Sequence, residues 1–339
     1  MATRITVAQA EPGRLAHFPD VVRLTGGRLL ATYREGVDHV SPDGRICVVE
    51  STDGGHTWGR PWVAVDGPHD DRDPKLVWLA DGTVLLSYFV IDWSTRPRHT
   101  TWGAYVRRST DGGRTWSGPA AVETSMATAG GRDQGGVQSW AASHGAAAEL
   151  PGGDLLLPLY GKPPGQAWQR ATVVRSTDGG RTWPAEGEVL VAEADGVHFQ
   201  EPTLTVLDGQ VVALIRTTVG HAYLSRSTDG GHSWSTPQPT DMPASSHHAL
   251  QLSTGEVLVT YGDLSPRFSS HRDTVGRLIR QPAHTWDGYA DVQLYDSGHP
   301  DQANPSSVEV MPGRFLTLGF DVQAATVVGV FTELDDYPR

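Results

Sequence analysis

The sequence predicts an all-β fold, a six-bladed β-propeller of four-stranded antiparallel blades. Three observations carry that prediction: a turn motif repeated at blade-length spacing, a second motif repeated six times in step with it, and a chain in which helix-type periodicity is hard to find.

The turn motif reads STDGGHTW at Ser51–Trp58, STDGGRTW at Ser109–Trp116 and again at Ser176–Trp183, and STDGGHSW at Ser227–Trp234. Successive copies start 58, 67 and 51 residues apart, which suits a four-stranded blade with its loops. A decayed fifth copy stands at His284-Thr285-Trp286-Asp287-Gly288. Within each box the aspartate (Asp53, Asp111, Asp178 or Asp229) is expected to accept backbone N–H groups of its own turn. The glycines after it supply positive φ, and the tryptophan folds back onto a neighbouring sheet. These aspartates therefore read as turn staples, not as catalytic acids.

The second motif marks where each blade opens: polar residues, often a proline, then a strand and a glycine turn. It reads HFPDVVRLTGG from His17, RDPKLVWLADG from Arg72, SHGAAAELPGG from Ser143, QEPTLTVLDG from Gln200, SHHALQLSTG from Ser246 and ANPSSVEVMPG from Ala303. Six openings mean six blades, with the last completed by residues 1–10 joining the C-terminal strands. Such closure removes the sheet edges that an open array would expose. The first strand of a propeller blade lines the central channel, so these openings should converge on the axis. No stretch changes composition enough to mark a linker, and residues 1–339 read as one domain.

Composition narrows the function. A net charge of −12 argues against nucleic acid, whose phosphates need a basic surface, but not against a small acidic ligand. No apolar run approaches the roughly 20 residues of a membrane helix. The N-terminus MATRITVAQAEPG lacks a charged-then-apolar leader, so a cytoplasmic location is expected, or a secreted one if a leader has been removed. The single cysteine, Cys47, lies in the apolar run Ile46-Cys47-Val48-Val49 and reads as a buried strand thiol.

On its boxes and openings the chain resembles the sialidase (neuraminidase) superfamily, also called the BNR or Asp-box proteins, over essentially its whole length. The resemblance implies a sialidase-like propeller whose site has three arginines on a substrate carboxylate, a tyrosine nucleophile assisted by a glutamate, and an aspartate acid/base. A guanidinium suits that carboxylate because it donates two parallel hydrogen bonds. Gln200-Glu201-Pro202, leading through Asp208-Gly209 to Arg216, matches the glutamate and the second arginine. Arg277, in Val275-Gly276-Arg277-Leu278, matches the third, with Arg272 the weaker match. The acid/base falls in the long first-blade loop, at Asp38 or, second, Asp43. Two positions depart from the pattern. His17 stands where the first arginine belongs, and Asn304 where the nucleophilic tyrosine opens the last blade. None of the nine tyrosines falls at a blade opening, and an amide cannot replace a phenolate as nucleophile.

The function so implied is an exo-acting glycoside hydrolase for a terminal acidic sugar, sialic acid-like or uronic. The openings and first-blade loop gather His17, Asp73, His144, Glu201, His247, His248 and Asn304, with Arg34, Asp38 and His39, a set able to move protons near neutral pH. An inverting hydrolase needs only an acid (Asp38 or His39) and a base (Glu201 or Asp73). A lyase on a uronic acid needs a base such as His17, His247 or His39 beside a neutralised carboxylate. Substrate contacts are expected from Arg216, Arg277, Arg34, His144, His248, Asn304 and Trp140, with Trp168 a second stacking candidate. The Gly-rich stretch 129–136 reads as a loop over the pocket, and Arg96 and Arg98 as ligand contacts or a solvated hairpin tip. No His-x-x-His spacing is present, and adjacent His247 and His248 point apart on a strand, so neither a metal nor a cofactor is expected. A non-catalytic propeller that binds a glycan or protein, or one turned to small-molecule chemistry, is the remaining reading.

Overall fold

The computed structural model of the protein describes residues 3–94, 99–126 and 139–338. Six antiparallel sheets follow one another along the chain. Blade 1 runs Leu15–Arg23, Leu29–Gly36, Arg45–Ser51 and Trp62–Val65; blade 2 runs Asp70–Trp78, Val84–Asp92, Thr100–Ser109 and Ala120–Ala121. Blade 3 has Leu155–Lys162, Arg170–Ser176 and Glu188–Ala192 outside a divided first strand, Trp140–Ser143 and Ala148–Glu149. The division falls at Gly145, where a Cβ would collide with the Pro202 carbonyl oxygen of the next blade. Blade 4 runs from Phe199–Leu207 to Gln238–Pro243, and blade 5 from His247–Gln251 to Asp291–Tyr295. Blade 6 is closed as expected: Thr3–Gln9 pairs antiparallel with Thr326–Glu333 as its outermost strand.

The hydrophobic pattern follows from this ring. Each sheet packs on two neighbours, so its central strands are buried on both faces and read as unbroken apolar runs, such as Val84-Leu85-Leu86 and Leu155-Leu156-Leu157. Buried side chains gather into six apolar cores, one between each pair of adjacent blades. Cys47 belongs to the core between blades 6 and 1, where burial pushes its thiol up to about 12, so it packs without being reactive. Among the described residues no helix is long and apolar enough to cross a membrane.

The boxes are the staples the sequence suggested. In the first, the Ser51 hydroxyl donates to Asp53 at 2.8 Å and accepts the Gly55 N–H at 2.9 Å, while the Thr57 N–H and hydroxyl both donate to Asp53. The same bonds recur around Asp111, Asp178 and Asp229. The Thr57 bonds draw the Asp53 carboxyl down to about 2, which makes it a standing acceptor. Gly55 has φ +93°, and a Cβ there would come within 2.7 Å of Leu316 in blade 6; both facts demand glycine. The decayed fifth copy keeps only its anchor, Trp286, buried between blades 4 and 5.

Candidate active site

The blade openings converge through a shared backbone device. Phe18, Asp73, Glu201 and Asn304 each precede a proline and each has φ near +50°. That region is sparsely populated by non-glycine residues, and a following proline ordinarily favours extended backbone; each such residue stores about 1–3 kcal/mol. In blades 1, 2 and 4 the strand register also slips there, between His17 and Asp20, Arg72 and Lys75, and Gln200 and Thr203. A bulge of this kind re-aims a side chain. All four residues line one cavity of about 470 Å³, which also takes walls from blades 3 and 5. Drawing on all six blades, it sits on the propeller axis, with a volume suited to a small ligand.

Three guanidiniums reach this cavity. Arg216 Nη1 donates to both oxygens of Glu201 at 3.0 Å, and Glu201 also accepts the Ser246 hydroxyl. Arg72 donates to the His39 carbonyl (2.7 Å) and to Asp70 (2.9 Å), and lies over the Phe18 ring. Arg272 differs from both. Its nearest partners are the Gln302 carbonyl at 3.3 Å and the Ser245 and Ser246 hydroxyls at 3.4–3.5 Å. Among the described residues no carboxylate pairs with it, and burial pushes its pKa down to about 10. Arg272 is only partly buried, and its guanidinium lines the cavity with long contacts to neutral groups.

Two carboxylates face the same space. Burial alone would raise both, but His144, Arg216 and Ser246 hold Glu201 below its ordinary value, and His144, Arg72 and Lys75 do so for Asp73. His144 Nδ1 lies 3.2 Å from Asp73 Oδ2, and since an ionised carboxylate only accepts, that nitrogen carries the proton. Asp73 Oδ1 has no hydrogen-bond partner among the described residues. Tyr160, from the second strand of blade 3, completes the polar wall; burial, then the charges of Glu201 and Asp73, push its phenol well above 10. Trp93, Trp140, Phe18 and Phe89 supply flat apolar surface.

Several expectations need correction. Arg277 is outside the cavity lining: mid-strand in blade 5, it donates to both oxygens of Asp291 at 2.9 and 3.0 Å and also to Asp241. Arg272, just before that strand, lines the cavity where Arg277 does not. Arg34 is fully buried, donating to Asp70 (2.6 Å), Ser41 and the Asp38 carbonyl, so it braces the first-blade loop. Asp38 is exposed, and its carboxylate caps the His39 N–H; Asp43 pairs with Arg14. Neither aspartate lines the cavity. Of the remaining expected residues, Asp73, Glu201, Asn304, His39, Arg216 and Trp140 line it, and His144 stands one step behind Asp73. His17 is buried beside Asp301, His247 packs on Tyr261, and His248 accepts the Ser307 N–H. Trp168 meets the His198 ring edge-on and does not line the cavity. Arg96, Arg98 and the stretch 129–136 lie outside the described residues.

Residues missed from the sequence are Arg72, Arg272 as the principal cation, Tyr160 and Asp301. Arg72 carried a signal: Arg-x-Pro, the spacing sought at the first blade, occurs at the second as Arg72-Asp73-Pro74.

The axial histidines have a consequence for stability. Burial lowers His247 to about 3 and His248 to about 4, so both are neutral in the fold and titrate near 6.5 when unfolded. As pH falls below 6.5 the unfolded chain takes up their protons first, removing about 1.4 kcal/mol per pH unit for each histidine. Asp71, raised by burial to about 6, works the other way between 6 and its unfolded value and offsets one of them. The box aspartates act only at lower pH. Urea unfolding should therefore show a net loss of stability between pH 6.5 and 4.5; a flat profile there would mean that these imidazoles are not held neutral.

Comparison with known proteins gives a consistent picture. Residues 27–309 match the family model described as the BNR repeat-like domain. A sialidase of Micromonospora viridifaciens is 30% identical over 249 residues, covering 64% of this chain and 35% of that protein, so the match spans about a third of the relative's length. Among solved structures, a Dyadobacter fermentans DSM 18053 protein of unknown function superposes with TM-score 0.84 at 24% identity over 97% of each chain. The Hadza microbial sialidase Hz136 gives 0.73 at 17% identity, over 96% of this chain and 66% of that one. Trypanosoma rangeli sialidase gives 0.69 at 16%, over 99% and 60%. At these identities the structural likeness shows the fold alone.

Proposed function

The chain belongs to the BNR repeat-like family, and from that premise we propose that it is a carbohydrate-active hydrolase that releases a terminal acidic sugar. The observation that supports this most is Arg272, a partly buried cation without a carboxylate partner among the described residues, set in one cavity with Arg216 and Arg72. A sugar carboxylate would take Arg272 directly, with Arg216 and Arg72 adding to the positive field.

The reaction follows from which groups hold protons. Asp73 and Glu201 are kept ionised, whereas the Tyr160 phenol keeps its proton at neutral pH. In this reading Tyr160 protonates the leaving oxygen and Asp73, backed by His144, removes a proton from the attacking water. Glu201 holds Arg216 in place and opposes the positive charge that develops on the sugar ring. Asn304 stands where a nucleophile would be needed for a covalent intermediate, so direct attack by water with inversion is the expected course.

A second reading draws on the same two carboxylates. With the arginines neutralising a uronate carboxylate, an ionised Asp73 or Glu201 would remove the neighbouring carbon-bound proton and eliminate the leaving group. NMR of the protein with a panel of sialosides, related nonulosonates and uronic-acid oligosaccharides separates these outcomes. Release of a free acidic sugar, first seen as the inverted anomer, is expected; an unsaturated uronate would establish the lyase instead. Line broadening without turnover would mean a binding propeller, and no response to any acidic saccharide would remove the glycan reading.

A further inference from the structure

His17, His39 and Asp301 come together beside the axial cavity, although 262 residues separate His39 from Asp301 along the chain. His17 opens blade 1, His39 lies on the first-blade loop, and Asp301 lies in the segment entering blade 6. We propose that these three residues form a binding site for a divalent transition metal of the Zn²⁺ or Co²⁺ type. The inference does not depend on the sugar chemistry proposed above, which uses none of the three.

Geometry carries the argument. One ligand atom from each residue lies within 4.8 Å of the other two. His39 Nδ1 is 2.9 Å from Asp301 Oδ1, and His17 Nε2 is 3.4 Å from Asp301 Oδ2. Ligands held about 2.0–2.1 Å from one ion stand about 3.0–3.4 Å from each other, and each separation falls near that range; the two imidazoles meet different oxygens of Asp301, so the carboxylate would bind the ion through both. A hydrogen-bonded relay explains only half of the cluster. The His39–Asp301 contact has hydrogen-bond geometry, but neither ring nitrogen of His17 has a hydrogen-bond partner among the described residues, and His17 is wholly buried. His17 Nε2 meets Asp301 only as a 3.4 Å contact without hydrogen-bond geometry, and a metal ion between them would satisfy both groups.

The surroundings suit a metal as well. Phe18 and Phe320 pack against the His17 ring, and Phe18 meets His39 edge-on at 5.1 Å, giving the apolar shell that tightens metal sites. The nearby Arg34 is neutralised by Asp70. Two imidazoles and one carboxylate select a borderline transition ion over Ca²⁺ or Mg²⁺. Three protein ligands leave open positions, and His39 lines the cavity, so a bound ion would be reachable from the substrate space.

The test uses the full chain without a histidine tag, stripped with chelator and titrated with CoCl₂ in the absence of any sugar. The expected result is one Co²⁺ per chain with a visible d–d band, and binding weakened by about 100-fold or more in both His39→Ala and Asp301→Asn. His17 is fully buried and its truncation risks unfolding, so the two partly exposed ligands carry the test, with thermal unfolding checked for each. Wild-type protein that takes up no Co²⁺, or takes it up equally in both variants, would overturn the proposal. Because no substrate is present, that result is independent of whether the cavity cleaves an acidic sugar.

Discussion

Arg272→Ala is expected to lower kcat/KM on an acidic-sugar substrate by about 100-fold or more, mostly through KM, since truncating one partner of a buried charge pair costs about 2–5 kcal/mol. The reasoning is electrostatic. Arg216 already has Glu201 as counter-ion and Arg72 has Asp70, so neither cation is as available to a ligand as Arg272. Arg272→Lys should recover part of the charge but not the two-pronged geometry. Arg277→Ala is the contrasting control. It should leave KM unchanged but destabilise the fold by about 1.5–3 kcal/mol, because the nearly inaccessible Asp291 would lose one cationic partner while keeping Arg267 and the Tyr261 hydroxyl. Initial rates and urea midpoints for the three variants check this. A KM for Arg272→Ala within a few-fold of wild type would sink the clamp assignment.

The largest expected effect on turnover is at Asp73. Asp73→Asn preserves shape and can still accept the His144 N–H, but it removes the base, and kcat should fall by about 10²–10⁴-fold with little change in KM. The pH profile adds a readout that a structural role would not move. A base works in its deprotonated form, so activity falls as pH drops through its pKa. His144, Arg72 and Lys75 hold that value below the ordinary carboxylate range despite burial, and the acid limb of kcat should lie correspondingly low. Tyr160→Phe should lose a similar factor on natural substrates but far less on an aryl glycoside whose leaving group needs no proton. Turnover of Asp73→Asn within twofold of wild type, or equal losses for Tyr160→Phe on both substrate types, would remove these roles.

What was legible in the sequence is what is local. The boxes show because their bonds run between residues two to four apart, and the glycine and tryptophan in each are dictated by one turn and one adjacent core. Glu201 and Arg216 could both be assigned to the site from the resemblance, since neighbouring strands of a single hairpin carry them, with Gln200 opposite Arg216 in the register; their ion pair with each other was not read from the sequence. The choice between Arg272 and Arg277 was not available in this way. Both sit at plausible distances from the fifth box, and only the strand's orientation tells which one meets the cavity and which meets Asp291. Asp38 failed for a related reason: a loop aspartate can spend its carboxylate on its own backbone, and this one does.

The sequence by itself determined the blade count, the turn staples and the closure by the first strand, because repeated local patterning specifies each blade in the same way. The tertiary structure alone decided which cations stay unneutralised, that Tyr160 joins the cavity from a second strand, and that His17, His39 and Asp301 meet. Those relations cross blades. They depend on how six sheets close around an axis and on which partner each buried charge finds there, and spacing along the chain does not encode either.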